Sequence, residues 1–294
     1  MNLVMTLIAG PGGSERLANC AAALAGALTA SGPDWLAPGH ACDLAFDGET
    51  TSAARAAQRA IGTAAIDVVV QPPAGRRKSI LVADMESTII ENEMLDELAE
   101  FVGLRAHVAE ITRRAMNGEL DFAAALRERV ALLTGLPRSV LDEAASRIRV
   151  MSGACRLVAT MRAAGAETAL VTGGFTAFAE PIAARLGFAH TVANRLDIAG
   201  DRIAGTVREP IVTRDTKRDT LVTLAAERGV ALSDTLAVGD GANDLPMLEA
   251  AGLGIAFHAK PAVAAAVRWR IAHADLSALL YAQGFRDSEI SGGN

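Results

Sequence analysis

Residues 79–83 (SILVA) form an apolar run of strand length with no alternation, bounded by charge on both sides. A strand that is apolar on both faces must be covered on both. That is the situation of a parallel strand inside an α/β sheet, not of a half-exposed antiparallel one. Beyond residue 151 the pattern repeats that demand: helix 153–164, strand 167–172, helix 175–186, helix 215–229, strand 234–239, helix 243–250 and strand 252–257. The alternation predicts an α/β fold with a doubly wound parallel sheet. Between Thr191 and Pro210, ANRLDIAGDRIAGTV alternates around turn residues and predicts a β-hairpin.

The chain before residue 79 reads differently. Strand 2–9, Ala-rich helix 14–31, strand 41–46, helix 51–61 and strand 65–71 make a small α+β unit. It ends in QPPAGRRK (71–78), where two prolines, a glycine and three charges mark a linker. From 92 to 150 the pattern is helical throughout, broken only near Gly103, Gly118 and Gly135-Leu136-Pro137. The expected domains are therefore 1–74, a catalytic core of 79–91 and 151–294, and a helical cap, 92–150, inserted into that core.

Charge and composition exclude several functions. The net charge of -6 is spread along the chain, and no basic cluster exceeds Arg76-Arg77-Lys78, which argues against nucleic acid as a partner. No stretch reaches the roughly 18 apolar residues of a membrane span. The apolar segment 17–30 follows Pro11, Gly12 and Gly13, with no Lys or Arg in the first ten positions, so it reads as an amphipathic helix and not a leader. Cys20, Cys42 and Cys155 lie far apart, odd in number and without CxxC spacing, as suits a reducing compartment. A soluble, cytoplasmic protein with a small-molecule substrate is the expectation.

In open α/β sheets ligands bind beyond the carboxyl ends of the strands. Four places there carry chemistry. In Asp84-Met85-Glu86-Ser87-Thr88, two carboxylates follow a strand two residues apart. A carboxylate accepts a phosphoryl group well because the acyl-phosphate is labile, which suits Asp84 as nucleophile. Glu86 suits the proton transfer to the leaving alkoxide and from the hydrolytic water. Taken alone, the pair reads equally as a solvated acidic turn. In Val171-Thr172-Gly173-Gly174-Phe175, consecutive glycines opening a helix, with the Thr172 hydroxyl, can cradle a phosphate, or simply make a turn. In Gly239-Asp240-Gly241-Ala242-Asn243-Asp244, Asp240 is a natural second oxygen ligand for Mg²⁺ beside Asp84. Asn243 and Asp244 there either orient substrate or metal waters, or cap a helix. Lys217, which alone would face solvent, can cancel charge where two anions must meet.

Nucleophile, acid, hydroxyl and backbone donors, lysine and metal carboxylate, at successive strand ends, resemble the four motifs of the haloacid dehalogenase superfamily. More narrowly, ADMESTIIENEMLDELAE, ITRRAMNGELDFAAALRERVALLTG, VTGGF, ANRL and VGDGANDLPML resemble its phosphoserine phosphatase branch, a likeness covering about 79–285. The resemblance implies hydrolysis of O-phospho-L-serine through an aspartyl-phosphate on Asp84, the last step of serine biosynthesis. It implies Mg²⁺ held by Asp84, Asp240 and the backbone carbonyl of Glu86, and phosphate held by Thr172, Gly173 and Lys217. Asn243 would touch substrate, Glu93 would meet its ammonium and Arg129 its carboxylate, with Met116 and Phe122 lining the cap side. Without the resemblance, Glu93 and Arg129 read as helix-surface charge, and Met116 and Phe122 as bundle core. Glu86 departs from the family's usual Asp by one methylene, which exposes the proton-transfer step. The N-terminal unit resembles an ACT-like domain, which suggests amino-acid sensing or a homodimer. The alternatives are a phosphatase or phosphotransferase for another small phosphomonoester, such as phosphothreonine or phosphohomoserine, and an amino-acid-binding regulatory protein with a core impaired by Glu86.

Overall fold

The computed structural model describes residues 2–116 and 119–292; the side chain of Met116, and with it the expectation for that residue, lies outside the described residues. In chain order the elements are β1 (Asn2–Ala9), α1 (Ser14–Leu28), β2 (Asp34–Ala37), β3 (Ala41–Asp47), α2 (Thr50–Ile61), β4 (Ile66–Gln71) and β5 (Ile80–Ala83). Four helices follow: α3 (Met94–Glu100), α4 (Arg105–Met116), α5 (Phe122–Ala131) and α6 (Ser139–Ser146). The chain then forms α7 (Ala154–Ala163), β6 (Glu167–Phe175), α8 (Thr176–Leu186), β7 (His190–Ala199), β8 (Arg202–Arg208), α9 (Arg214–Arg228), β9 (Thr235–Gly239) and α10 (Leu245–Ala250). It ends with β10 (Leu253–Phe257), α11 (Pro261–Ala266), β11 (Trp269–Ile271) and α12 (Ala278–Ala282).

These elements form two compact units. One comprises Met1–Ser79, Ser152–Ala166 and Trp269–Asn294, the other Ile80–Met151 and Glu167–Arg268.

In the second unit the sheet runs β10-β9-β5-β6-β7-β8. β5 lies between β6 and β9, parallel to both, with Leu81 opposite Thr168 on one side and Leu236 on the other. All four β5 residues are completely buried, as an unalternating apolar strand requires. β7 and β8 form the expected hairpin, with Arg195 opposite Arg208. The sheet is doubly wound. Succession from β5 runs outward through β6 and β7, while β9 and β10 lie on its other side, so the switch point falls between β5 and β9. Asp84 and Asp240 are the residues just past the carboxyl ends of these two strands. The insert between β5 and β6 is helical, as its periodicity predicts.

In the first unit the antiparallel sheet has the order β2-β3-β1-β4. Leu3, Met5 and Leu7 of β1 pack with Leu17 and Leu24 of α1 and Leu44 of β3 on one face. The residues of β1 between them, Val4, Thr6 and Ile8, are also buried, and α12 packs on that strand. Polar stitches hold the arrangement. Arg76, at the end of the expected linker, donates to Asp43 (2.6 Å) and Thr6 (2.9 Å) and to the carbonyl oxygens of Tyr281 and Ala282 (both 3.3 Å). Asp67 accepts the N–H groups of Ala272 (2.8 Å), His273 (3.1 Å) and Ala274 (2.8 Å).

The Asp67 carboxylate thus ties β4 to the segment after β11. Replacing it by alanine removes the acceptor of three backbone donors, and burying such groups without it costs about 1–3 kcal/mol. Thermal unfolding of Asp67→Ala should therefore show a midpoint several degrees lower; an unchanged midpoint would contradict this role.

Candidate active site

Asp84 continues the β5 ladder, its N–H donating to the carbonyl of Val238 in β9 at 3.0 Å. Its Oδ1 accepts the N–H of Met85 (2.8 Å) and lies 2.6 Å from the ammonium of Lys217. Lys217 sits in the first turn of α9, which Thr213 and Thr216 start with a capping box. The same ammonium is 2.6 Å from Asp244 Oδ1. Lys217 is 1% exposed and Asp244 fully buried, so solvent does not screen these pairs. Asp244 Oδ2 accepts the N–H groups of Asp240 (3.1 Å) and Gly241 (3.0 Å). The residue thus organises the turn after β9, and its side chain makes no capping bond to α10. Gly239 makes room for this, since a Cβ there would lie 2.4 Å from Asp244 Cγ.

Oxygens of Asp84, Asp240 and Asp244 all lie within 4.8 Å of one another. Asp244 is held by Lys217 and by the N–H groups of its own turn, Asp240 accepts from Lys260 and, at 3.5 Å, from the Thr88 hydroxyl, and Asp84 is engaged through Oδ1. Burial, then Asp244, pushes the Asp84 carboxyl well up against the opposing pull of Lys217. Burial raises Asp240 to about 7, with Lys260 opposing. A cluster so short of positive charge, built of oxygen donors, fits a hard divalent metal ion.

Glu86 is buried beside this cluster. Its Oε1 accepts the N–H of Met94, the first residue of α3, at 2.9 Å. Burial, then the neighbouring Glu93, raises its carboxyl to about 8, toward the protonated form required of a general acid. The strand expected to end at 172 continues to Phe175, so Thr172, Gly173 and Gly174 lie in the last part of β6; there the Gly174 N–H donates to Thr172 Oγ1 (2.9 Å), leaving the hydroxyl hydrogen available. A Cβ on Gly174 would meet Glu86 Oε2 at 2.8 Å, and one on Gly173 would meet Phe122 Cζ at 2.4 Å. Phe122 therefore lies directly over the glycine backbone.

Asp84, Glu86, Glu93, Phe122, Arg129, Gly173 and Asn243 line one cavity of about 20 Å³, room for little more than a water molecule. A larger cavity of about 520 Å³ opens on the other side of Phe122 and Asn243. Asn243 Oδ1 is buried and without a hydrogen-bond partner among the described residues. Arg129 is 3% exposed, not a surface charge. It donates to the Ala125 carbonyl (3.0 Å) and to Thr112 Oγ1 (2.7 Å), and Thr112 in turn donates to Asp96 (2.8 Å). Those contacts leave part of its five-donor fork for a ligand. Glu93 accepts from the Ser87 hydroxyl at 2.6 Å. Sequence reasoning missed three groups that hold this site: the Thr112–Asp96 pair behind Arg129, Asn194 and Lys260. Asn194 donates to the Gly173 carbonyl (2.7 Å) and accepts from the Val212 N–H (2.8 Å). Its only sequence signal was its place in ANRL.

The fold and this site define a hydrolase class. Residues 81–249 match the haloacid dehalogenase-like hydrolase family, and the chain belongs to it. Among relatives, a phosphoserine phosphatase of Lactococcus lactis subsp. lactis is 45% identical over 203 residues, covering 69% of this chain and 94% of that protein. Among solved structures, a HAD-family hydrolase from Salmonella enterica serovar Typhi superposes with a TM-score of 0.85 at 28% identity, over 97% of this chain and 99% of that one. A phosphoserine phosphatase solved as a phospho-aspartyl intermediate analogue is 36% identical with a TM-score of 0.67, over 70% of this chain and 98% of that one.

The packing at Gly239 gives a test. In Gly239→Ala the methyl displaces Asp244, and with it Lys217 and Asp240, so hydrolase turnover should fall roughly 10²-fold, as misplacement by about an ångström does. Gly26→Ala, where a Cβ has open space, should leave turnover unchanged. Steady-state kinetics of the two variants checks this, and equal activities would remove the packing argument.

Proposed function

We propose that this enzyme hydrolyses O-phospho-L-serine to L-serine and phosphate through an aspartyl-phosphate on Asp84. The observation that carries the substrate assignment is the pairing of Glu93 with the buried Arg129 in the cavity that holds Asp84 and Glu86. An anion for an ammonium and a guanidinium fork for a carboxylate, flanking a phosphoryl acceptor, select a free amino-acid phosphoester. The similarity to proteins named as phosphoserine phosphatases supports the same reading.

In the mechanism we propose, the phosphoryl group rests on Thr172, Gly173 and Lys217, in line with Asp84. The Asp84 carboxylate attacks phosphorus while protonated Glu86 gives its proton to the serine oxygen, so the P–O bond breaks and L-serine leaves neutral at that oxygen. Glu86, now ionised, takes a proton from water; the resulting hydroxide attacks the aspartyl-phosphate and releases phosphate, which restores Asp84. Lys217 stays between Asp84 and Asp244 throughout and offsets charge at the phosphoryl oxygens. Mg²⁺ held by Asp84, Asp240 and the Glu86 carbonyl would add positive charge at the same place. Substrate entry requires Phe122 to leave Gly173, and its return excludes water, which makes the insert a lid over the core. On this reading the functional division is 1–74, 79–91 with 151–294, and the cap 92–150.

The βαββαβ order of the N-terminal elements supports an ACT-like unit. We place the enzyme in the cytoplasm, which its three unpaired cysteines support; among the described residues no helix is long and apolar enough to cross a membrane. A homodimer is the assembly we propose, since the four-stranded sheet ends on β2, an edge that a second copy can extend. Light scattering of the purified protein reads it directly.

Phosphate release from phosphoserine, phosphothreonine, phosphohomoserine and a sugar phosphate, with and without Mg²⁺, tests the function. Phosphoserine should lead, Mg²⁺ should be required, and Asp84→Asn should abolish turnover while the fold persists. Arg129→Ala should raise KM for phosphoserine roughly tenfold to a hundredfold, the worth of a charged hydrogen-bonded contact. Preference for another ester in the unaltered enzyme would overturn the substrate; activity in Asp84→Asn would overturn the nucleophile.

A further inference from the structure

Lys260 lies outside the motif order, yet its ammonium enters the carboxylate cluster. The residue caps α11. Its N–H donates to the Asp240 carbonyl at 3.1 Å, its Nζ donates to Asp240 Oδ2, and Glu93 Oε1 is 4.0 Å from that nitrogen. The side chain is 28% exposed. Asp240 is thus held by backbone and side chain of the same lysine.

The proposed metal needs that carboxylate. A divalent ion a few ångströms from an ammonium repels it by several times the thermal energy at an effective dielectric constant of about 20. Lys260 holds Asp240 through Oδ2, so an ion taken up by the same carboxylate at Oδ1 sits against that ammonium, and the partly exposed Lys260 is the group free to turn away. Three aspartates face two lysines in this cluster, Lys217 and Lys260. Lys217 is fixed between Asp84 and Asp244 and fully enclosed, whereas Lys260 is partly exposed and has a second anion, Glu93, within reach. Among the hydrogen bonds of the described residues, Glu93 is engaged only through Oε1, by Ser87, so Oε2 is left for a substrate ammonium even when Lys260 turns toward the Oε1 side.

We propose that Lys260 is a built-in counter-cation of the metal site: it neutralises Asp240 in the metal-free enzyme and is driven from it toward Glu93 when a divalent ion binds. This rests on the metal reading of Asp84 and Asp240 given above. Metal affinity is then set by competition with a tethered ammonium. Monovalent ions gain little by displacing it, since they carry no more charge than the group they replace, so the site selects divalent ions without a rigid cage. A lysine that only propped Asp240 in place would have the opposite signature, because its removal would loosen metal binding.

The test is a Mn²⁺ titration of the full-length protein, following the free ion by electron paramagnetic resonance, for the unaltered enzyme, Lys260→Met and Lys260→Arg. Lys260→Met should bind Mn²⁺ roughly tenfold tighter or more, within the usual range of site-to-site coupling. Lys260→Arg keeps the charge and should bind like the unaltered enzyme. Should Lys260→Met fail to fold without metal, Lys260→Gln, which retains a donor for Asp240, reads the same difference. Unchanged or weaker binding by the neutral variant, with binding by the unaltered enzyme intact, overturns the counter-cation role alone. No Mn²⁺ binding by the unaltered enzyme overturns the metal reading and this inference with it.

Discussion

The Lys217 ammonium, shared at 2.6 Å by Asp84 and Asp244, is the contact on which the rest of the site depends. Three buried groups from three successive segments meet there: the end of β5, the first turn of α9 and the turn after β9. Two carboxylates this close could not both stay ionised and buried without a cation between them. With the cation in place, Asp244 can turn its second oxygen back onto the N–H groups of Asp240 and Gly241, which fixes the turn that carries Asp240. The switch point of the sheet supplies the crevice, and the ion pair supplies its charge pattern.

Glu86 shows how the extra methylene is accommodated. Its carboxylate reaches across to the N–H of Met94 at the start of α3 and packs on the backbone of Gly174. The end of β5, the insert and the end of β6 therefore all bear on it. A shorter aspartate would not span the same gap from the same backbone position. The length of the side chain ties the proposed proton donor to the first helix of the insert.

The first unit is built by long-range closure. Its sheet is covered on one face by α1 and α2 and has buried residues on the other, where α12 packs on β1. Arg76 and Asp67 join strands near the N-terminus to segments some two hundred residues later. Residues 269–294 are therefore part of the folding unit that contains β1 to β4, and Arg76 is a structural tie in spite of its linker-like surroundings.

The parallel sheet was legible in residue order alone, since runs such as 79–83 cannot be half-exposed. The helical periodicity of 92–150 also pointed to the insert, and Asp84 and Asp240 were legible as candidate groups because each sits just past a strand end. The short elements escaped a reading of residue order. β2 is four residues between turn signals, and β11 and α12 are three and five residues long, too short for a period to declare itself. Lys260 and the Thr112–Asp96 pair escaped it too, since a charged or hydroxyl side chain on a helix looks solvent-facing until the partner it serves is known. Tertiary structure alone decided that Arg129 is buried, that Phe122 covers Gly173, that Asp244 organises its own turn, and that the chain's two ends fold together. Each of those depends on which distant segment supplies the counter-charge or the cover, and local sequence carries no record of that.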